Sequence, residues 1–319
     1  MSHVCRIAAN SFREALREPV YFLMLIGALL LIGHYPWMTL FVFREQLKLV
    51  VDGAMATTLF FSLAVCVLCA SYTIAREMRN GTVLLLLSKP ISRWGFVVGK
   101  MLGIIAAALL FCGVCCCSSV IAVYIAVDQF RMDMLLYGVF FGLVFAACVF
   151  GMIMNFLRGS SFSEYAVYAA VLLVGGMTFY CCKWLPEPKL VMLDLWKALL
   201  LIAPAVLIMS VLAVGFATRF DVVPCMCMCS LIFFLGLISS YLFAGNVENQ
   251  VLAVLYSFLY AALPNWQYFW MADAIAVNRS IPGTYVWWSV VYALIYSLIV
   301  AAWAVALFQN REAAGSKNN

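Results

Sequence analysis

The stretch FVVGKMLGIIAAALLFCGVCCCSSVIAVYIAV, residues 96–127, decides the fold class. Its one charged side chain, Lys100, lies close to the start of the run. About 20 consecutive apolar residues are enough for a helix to cross the ~30 Å hydrocarbon core of a bilayer. This run is longer, so we predict a membrane-spanning helix that also projects beyond the bilayer.

The composition extends this conclusion to the whole chain. Of its 319 residues, 67% are hydrophobic and 10% are charged, whereas a soluble domain is about half apolar and about a quarter charged. A soluble fold of this length cannot hide so much apolar surface from water. These numbers exclude a soluble enzyme, a secreted disulfide scaffold and a disordered tail.

Apolar runs of helix-spanning length recur along the sequence. We therefore predict an all-α, polytopic membrane protein with about eight transmembrane helices, within a range of six to nine. A shorter apolar stretch, Val251–Leu263, ends before Pro264 and is too short to cross, so it is expected to be interfacial or re-entrant. The aromatic residues that follow it, Trp266, Tyr268, Phe269 and Trp270, are expected at headgroup level. The predicted spans are Val20–Phe43, Ala54–Ala75, Phe96–Val127, Met134–Phe156, Tyr165–Cys181, Ala198–Ala217, Pro224–Ala244 and Tyr285–Phe308.

The distribution of Lys and Arg predicts the orientation. With an inside N-terminus and eight spans, 12 of the 19 basic residues fall on the inner side, so the positive-inside rule puts both termini in the cytoplasm. Residues 1–19 form an amphipathic cytoplasmic helix, either a basic anchor or part of a gate. Residues 20–308 are predicted to form one transmembrane domain, with a cytoplasmic segment over 76–95 and an outer loop with an interfacial helix over 245–284, and residues 309–319 a cytoplasmic tail. The predicted apolar face of the first helix contains Cys5, Ala8, Phe12, Ala15 and Leu16.

The segment REMRNGTVLLLLSKPISRWGFVVGKMLG, residues 76–103, is the most informative for function. Asn80-Gly81 is a helix stop, Thr82 can cap the short element after it, and Ser88-Lys89-Pro90 breaks the chain again. Between these breaks lies a five-residue apolar patch, Val83–Leu87, which cannot cross a membrane. Such a patch folds back on its own helices or docks into the groove of a partner.

Glycines at four-residue spacing come next along the chain. Gly95, Gly99 and Gly103 share one helix face, and we predict that they allow close helix packing. The same prediction applies to Gly138 and Gly142 in the fourth span. The run from Gly95 to Met101 is not a phosphate-binding loop, because it has one residue too few between its glycines and Met101 where a magnesium-binding Ser or Thr is needed.

Other polar and sulfur-containing residues have simpler interpretations. The 13 cysteines lie almost all in apolar runs, where cysteine behaves as a small hydrophobe, and a copper site is the less favoured alternative. Residues 161–164, SFSE, predict a capping box for the fifth span. The predicted spans hold no acidic residue at mid-depth, which argues against a proton- or sodium-driven carrier.

The segment after the second span resembles the cytoplasmic signature of ABC-2 type transporter permeases. The resemblance rests on Glu77, Gly81-Thr82, the leucine run, Ser88-Lys89-Pro90, Ser92-Arg93 and Gly99-Lys100. The lead RIAANSFREALREP, the Leu263-Pro264-Asn265 turn and the end FQNRE are also similar to relatives, especially those related to nitrous-oxide-reductase maturation. The resemblance extends over nearly the whole chain, although family members often have six spans.

The resemblance implies a division of labour between subunits. A separate ABC ATPase subunit would bind ATP and Mg²⁺, so that this chain is not itself an enzyme, holds no cofactor and binds no nucleic acid. It would pair with a second permease copy in the bacterial inner membrane and work as an exporter. A secondary carrier, or a scaffold or force-transmitting subunit without transport, are the alternatives. The residues implied to couple to the ATPase are Glu77, Gly81, Thr82, Leu84, Leu85, Leu86, Leu87, Ser88, Pro90 and Arg93.

Individual roles within this segment are hypotheses. Leu84 to Leu87 would fill the groove of the partner. Glu77 would pair with a cation of the ATPase or cap the short helix; the alternative is a surface ion pair with Arg76 or Lys89, worth under about 1 kcal/mol. The basic residues Arg76, Arg79, Lys89 and Arg93 would hold the loop at the lipid headgroups.

Overall fold

A computed structural model describes residues 3–38, 46–75, 93–126, 132–186, 188, 192–243, 250–277 and 279–315. Within these ranges the regular structure is entirely helical, as predicted. The α-helices are α1 (His3–Arg17), α2 (Pro19–Met38), α3 (Gln46–Ala70), α4 (Arg93–Ile125), α5 (Met134–Arg158), α6 (Phe162–Trp184), α7 (Met192–Leu200), α8 (Ile202–Ala217), α9 (Val222–Phe243), α10 (Gln250–Ala262), α11 (Ala272–Ala276) and α12 (Gly283–Gly315). A π-helical turn, Ser71–Ala75, continues α3, and a 3₁₀ turn, Trp266–Phe269, follows α10.

The prediction of eight transmembrane helices is confirmed. Among the described residues, eight helices are long and apolar enough to cross a membrane, and α7 and α8 together form the sixth of them. The second candidate span begins at Leu47, before the predicted Ala54, and the sixth begins at Met192, before the predicted Ala198. Both helices include charged residues in their first turns, such as Lys48 and Asp194, which is why the apolar runs alone underestimate their length.

Three spans form the centre of the molecule. The spans of α3 and α4 and the span formed by α7 and α8 are each two-thirds or more buried inside the chain, whereas those of α5, α9 and α12 are less than a third buried. The peripheral helices carry large exposed apolar side chains, for example Phe145, Leu172 and Leu298. An apolar periphery of this kind suits contact with lipid, because lipid tails are as apolar as these side chains.

The short apolar stretch after the seventh span forms α10, which ends at Ala262, before Pro264. The chain then turns back against α9, so closely that a Cβ atom on Gly236 would overlap the Pro264 carbonyl oxygen. Trp266 and Phe269 are buried within the protein, and Tyr268 is exposed. Trp266 and Phe269 thus fill the contact between the turn and the helices, and the expectation that the four aromatics lie at headgroup level stays a prediction.

Candidate functional site

The predicted coupling residues lie mostly outside the described part of the chain. This applies to Glu77, Gly81, Thr82, Leu84, Leu85, Leu86, Leu87, Ser88 and Pro90. Both flanks of this segment are described. On one side α3 passes into the π-helical turn Ser71–Ala75, and on the other side α4 begins at Arg93. π-helical turns inside longer helices are frequent at functional sites, so these two flanks mark the edges of the candidate site.

The helix α1 lies in a seam along the first turns of α4. A Cβ atom on Gly99 would be 2.9 Å from the Cβ of Ile7, and one on Gly103 would be 2.5 Å from the carbonyl oxygen of Ala8. These distances are shorter than van der Waals contact, so the backbones of the two helices approach as closely as glycine permits. Gly95, one turn before Gly99, is buried as well.

The other predicted glycine ridge is wrong within this chain. A Cβ atom on Gly138 or on Gly142 would meet no described atom within 4 Å, since this face of α5 is open. The predicted apolar face of α1 also needs correction, because Ser11, Ala15 and Leu16 are buried and Cys5 is exposed. The face of α1 that meets the glycines of α4 combines the small residues Ala8 and Ser11 with the apolar side chain of Ile7.

A buried ion pair fixes α1 to α4 beside the glycine seam. The Lys100 ammonium Nζ lies 3.0 Å from Glu14 Oε2, and the two side chains are 5% and 34% exposed. An ammonium group removed from water in this way is stable only when a counter-charge and hydrogen bonds compensate for its lost hydration. Glu14 therefore explains how a lysine can occupy an otherwise apolar helix.

A second ion pair fixes the same helix to α6. Arg17 Nε donates a hydrogen bond of 2.7 Å to Glu164 Oε2, and Tyr168 donates a weaker one of 3.5 Å to Oε1. The hydrogen bond and the charge of Glu164 raise the pKa of the Arg17 guanidinium. The predicted capping box is wrong, because Ser161 makes no side-chain cap bond and the carboxylate of Glu164 binds a residue from a distant part of the chain.

These contacts make α1 a bridge at one end of the molecule, which we call the α1 end. The helix packs on α4 and α6 and also touches α2 and the π-helical turn. Two further contacts close the same end: the rings of Phe96 and Phe308 are 6.1 Å apart, and Arg219 donates a 2.6 Å hydrogen bond to the carbonyl of Leu307. The helices on both sides of residues 76–92 are thus connected through α1.

The described residues at the α1 end form contacts between helices. Across the described ranges, no group of three or more His, Cys, Asp or Glu side chains could hold a metal ion. The arrangement instead joins helices, so what it can do is pass a displacement from one to another. The sequence alone did not identify Glu14 and Glu164 as ion-pair partners. The isolated charge of Lys100 in an apolar run was, however, a signal that a partner carboxylate was needed.

The geometry defines a polytopic helical membrane protein in which α1 joins, at one end, the helices that flank residues 76–92. A family model described as "ABC-2 family transporter protein" matches residues 7–184. The chain belongs to this family of membrane transporter proteins, since the match spans more than half of it. The match runs from Ile7, which contacts Gly99, to Trp184 at the end of α6, and so contains most of the seam and both ion pairs of α1. A search of curated proteins finds no match.

Proposed function

We propose that this chain is the membrane-spanning permease subunit of an ABC exporter, related to the nitrous-oxide-reductase-maturation subgroup. A separate ATPase subunit, which holds ATP and Mg²⁺, would dock on residues 76–92 with Leu84–Leu87 in its groove. A second permease copy would complete the transporter. The protein would span the inner membrane with both termini in the cytoplasm. The α1 end would therefore face the ATPase.

The observation that carries this proposal is the attachment of α1 to the first turns of α4. A push on residues 76–92 reaches Arg93 first, and α4 is continuous from there to Ile125 in the core. Because α1 is seated at Gly99 and Gly103 and paired at Lys100, it moves with α4. Glu164 then passes the displacement through Arg17 to α6. Two spans are thereby driven from one docking segment.

The positions of the buried charges favour this function over a secondary carrier. Of the described residues, the buried charged ones are Lys100, Glu164 and Asp194. All three lie within the first eight residues of their helices, and each is within 3.0 Å of an opposite charge. Carriers driven by ion gradients use ionisable groups near the bilayer midplane. The three buried charged residues of this chain instead lie towards helix ends and are paired with other side chains.

The test is purification of the full-length tagged chain in mild detergent from the cells that make it. We expect one P-loop ATPase chain to accompany each permease chain. Leu85→Asp should reduce the amount of ATPase by about tenfold, which corresponds to ~1.4 kcal/mol of binding free energy. Leu157→Asp is the matched control, because Leu157 is an exposed leucine at the end of α5 outside the docking segment. Recovery of the chain with no P-loop protein, or equal loss in both variants, would refute the proposal.

Glu77→Lys examines the polar part of the same segment. We expect this variant to insert and to keep its ATPase, while ATP hydrolysis is no longer coupled to movement of the spans. The readout is the change on ATP binding in the distance between spin labels on α6, which is driven through α1, and on α9, which lies outside that connection, measured alongside hydrolysis. An unchanged distance response in Glu77→Lys would remove Glu77 from the coupling mechanism.

A further inference from the structure

Exposed positive charge is concentrated on one face of α1. Arg6, Arg13 and Arg17 are all exposed, and their spacing of seven and four residues places them in one row along the helix. Like charges one turn apart on a helix repel each other. The pair of Arg13 and Arg17 therefore favours an anion bound between the two guanidinium groups.

The carboxylates of this region are already engaged. Glu14 and Glu164 each lie within 3.0 Å of a cation of the chain, and Glu18 also has an interaction within the chain. Arg13, by contrast, forms no ion pair with any residue that the structure describes. Its guanidinium group is therefore available to an anion from outside the chain.

The guanidinium group of Arg17 is only partly used. Its Nε donates to Glu164, its two Nη groups have no acceptor among the described residues, and the side chain is 59% exposed. Arg13 and Arg17 both act electrostatically on the Tyr168 hydroxyl, so both charges lie on the side of α1 that faces α6. Guanidinium groups bind phosphate through parallel hydrogen bonds. One phosphate can therefore bind Arg13 and the Nη groups of Arg17 while the ion pair with Glu164 stays intact.

This anion site lies at the edge of the membrane. The span of α2 begins at Pro19, directly after α1 ends at Arg17, and the span of α6 begins at Phe162, beside Glu164. The ends of spans lie at the level of the lipid headgroups, where basic side chains attract anionic lipids. The phosphate of a lipid is therefore at the right depth to reach both arginines.

An apolar surface continues from this site into the membrane. Leu172 and Phe179 follow Tyr168 on the outer face of α6 and are 74% and 67% exposed. Between them, a Cβ atom on Gly175 or on Gly176 would meet no described atom within 4 Å, so this face is open. Acyl chains below a bound phosphate would cover this surface, whereas a soluble anion would not. The combination selects a phospholipid.

We propose that Arg13 and Arg17 bind the phosphate of an anionic phospholipid, whose acyl chains lie along the outer face of α6. The lipid contacts α1 with its head and α6 with its tails, so it joins the two helices beside the ion pair of Arg17 with Glu164. This binding goes beyond the proposed function and does not depend on it, because none of these residues belongs to the docking segment.

The experiment uses the full-length chain in phosphatidylcholine nanodiscs that contain a trace of a photoreactive lipid. Two probes have the same diazirine on one acyl chain, and one has a phosphatidylglycerol head and the other a phosphatidylcholine head. We expect the phosphatidylglycerol probe to label α6 about fivefold more than the other probe does, which corresponds to ~1 kcal/mol. Unlabelled phosphatidylglycerol should compete with this labelling, and millimolar inorganic phosphate should not.

Two variants locate the headgroup. Arg13→Gln should lower the preference for phosphatidylglycerol about threefold, because it removes a guanidinium group that no carboxylate engages. Arg17→Lys should lower it about twofold, because a single ammonium group can keep Glu164 but lacks the Nη donors. Lys183→Gln is the matched control, since it removes one exposed positive charge at the far end of α6 and should leave the preference unchanged. Circular dichroism and elution volume of each variant separate loss of binding from loss of folding.

Several results would overturn the proposal. Equal labelling of α6 by the two probes would mean ordinary annular lipid, and equal effects of Arg13→Gln and Lys183→Gln would mean a general response to net charge. A phosphatidylglycerol preference of the same size on α9 and α12 would also rule out a specific site. Competition by inorganic phosphate would make the site one for soluble anions. Co-purification of the ATPase, measured on the same samples, distinguishes failure of this inference from failure of the proposed function.

Discussion

The two ends of the molecule are joined in different ways. At the α1 end, separate helices are joined by ion pairs between side chains, Glu14 with Lys100 and Arg17 with Glu164. At the opposite end, the segment between α10 and α12, which we call the strap, is held mainly by hydrogen bonds that involve backbone groups. Lys197 Nζ donates to the Ile281 carbonyl at 2.9 Å, for example, and the Ile281 amide donates to Asp194 Oδ1 at 3.2 Å.

Asn265 contributes to the same strap. Its Oδ1 accepts a hydrogen bond of 3.0 Å from the Gln267 amide, and its Nδ2 donates to Ser240 Oγ at 2.8 Å. Side chains bound to backbone groups fix the path of a segment, whereas ion pairs between helices fix two rigid bodies to each other. The strap is therefore a local fold, and the α1 end is a joint between long helices.

The largest destabilisation is expected at the buried ion pair, and its size should differ between variants of Glu14 and of Lys100. Glu14→Gln removes the carboxylate charge beside the buried Lys100 ammonium and should lower the free energy of unfolding by about 3 kcal/mol. Lys100→Met removes the buried ammonium charge itself, so it should lower the free energy of unfolding much less than Glu14→Gln does. The measurement is thermal unfolding of the purified variants in one detergent. Equal destabilisation by the two variants would mean that the pair is not what holds α1 to α4.

An intermediate effect is expected at the glycine seam. Gly103→Leu forces a side chain into the backbone of α1 and should destabilise the chain by about 2 kcal/mol. Gly138→Leu is the control, because its Cβ would meet open space. The same variants should differ in how fast a protease cleaves within α1, with Gly103→Leu cut faster. If Gly138→Leu proves equally harmful, the seam has no special role at the α1 end.

The mildest effect is expected at the opposite end. Asn265→Ala removes the cap of the 3₁₀ turn and the bond to Ser240, and should cost about 1 kcal/mol. Hydrogen exchange should increase in residues 263–271 and stay unchanged in α1, because the strap folds locally. Increased exchange in α1 would contradict the distinction drawn between the two ends.

The helices could be predicted from the sequence, but the contacts between them could not. Length and apolarity fixed the eight spans because the bilayer imposes one length scale on all of them. Glu164 was assigned to a local cap because its spacing from Ser161 matched one, yet its partner Arg17 is 147 residues away. Gly103 and Gly138 belong to runs with the same four-residue spacing, and only the packing of α1 distinguishes their surroundings. Periodicity reports which face a residue occupies, whereas long-range contacts decide what meets that face.

The buried ion pair also has a consequence for how the protein is made. Glu14 leaves the ribosome 86 residues before Lys100, so the counter-charge is already present when the third span partitions into the membrane. An ammonium group in an isolated apolar helix opposes its own insertion. A chain that lacks its first 18 residues should therefore deliver this span to the insertion machinery with its charge unneutralised, and should insert it less efficiently than the full chain.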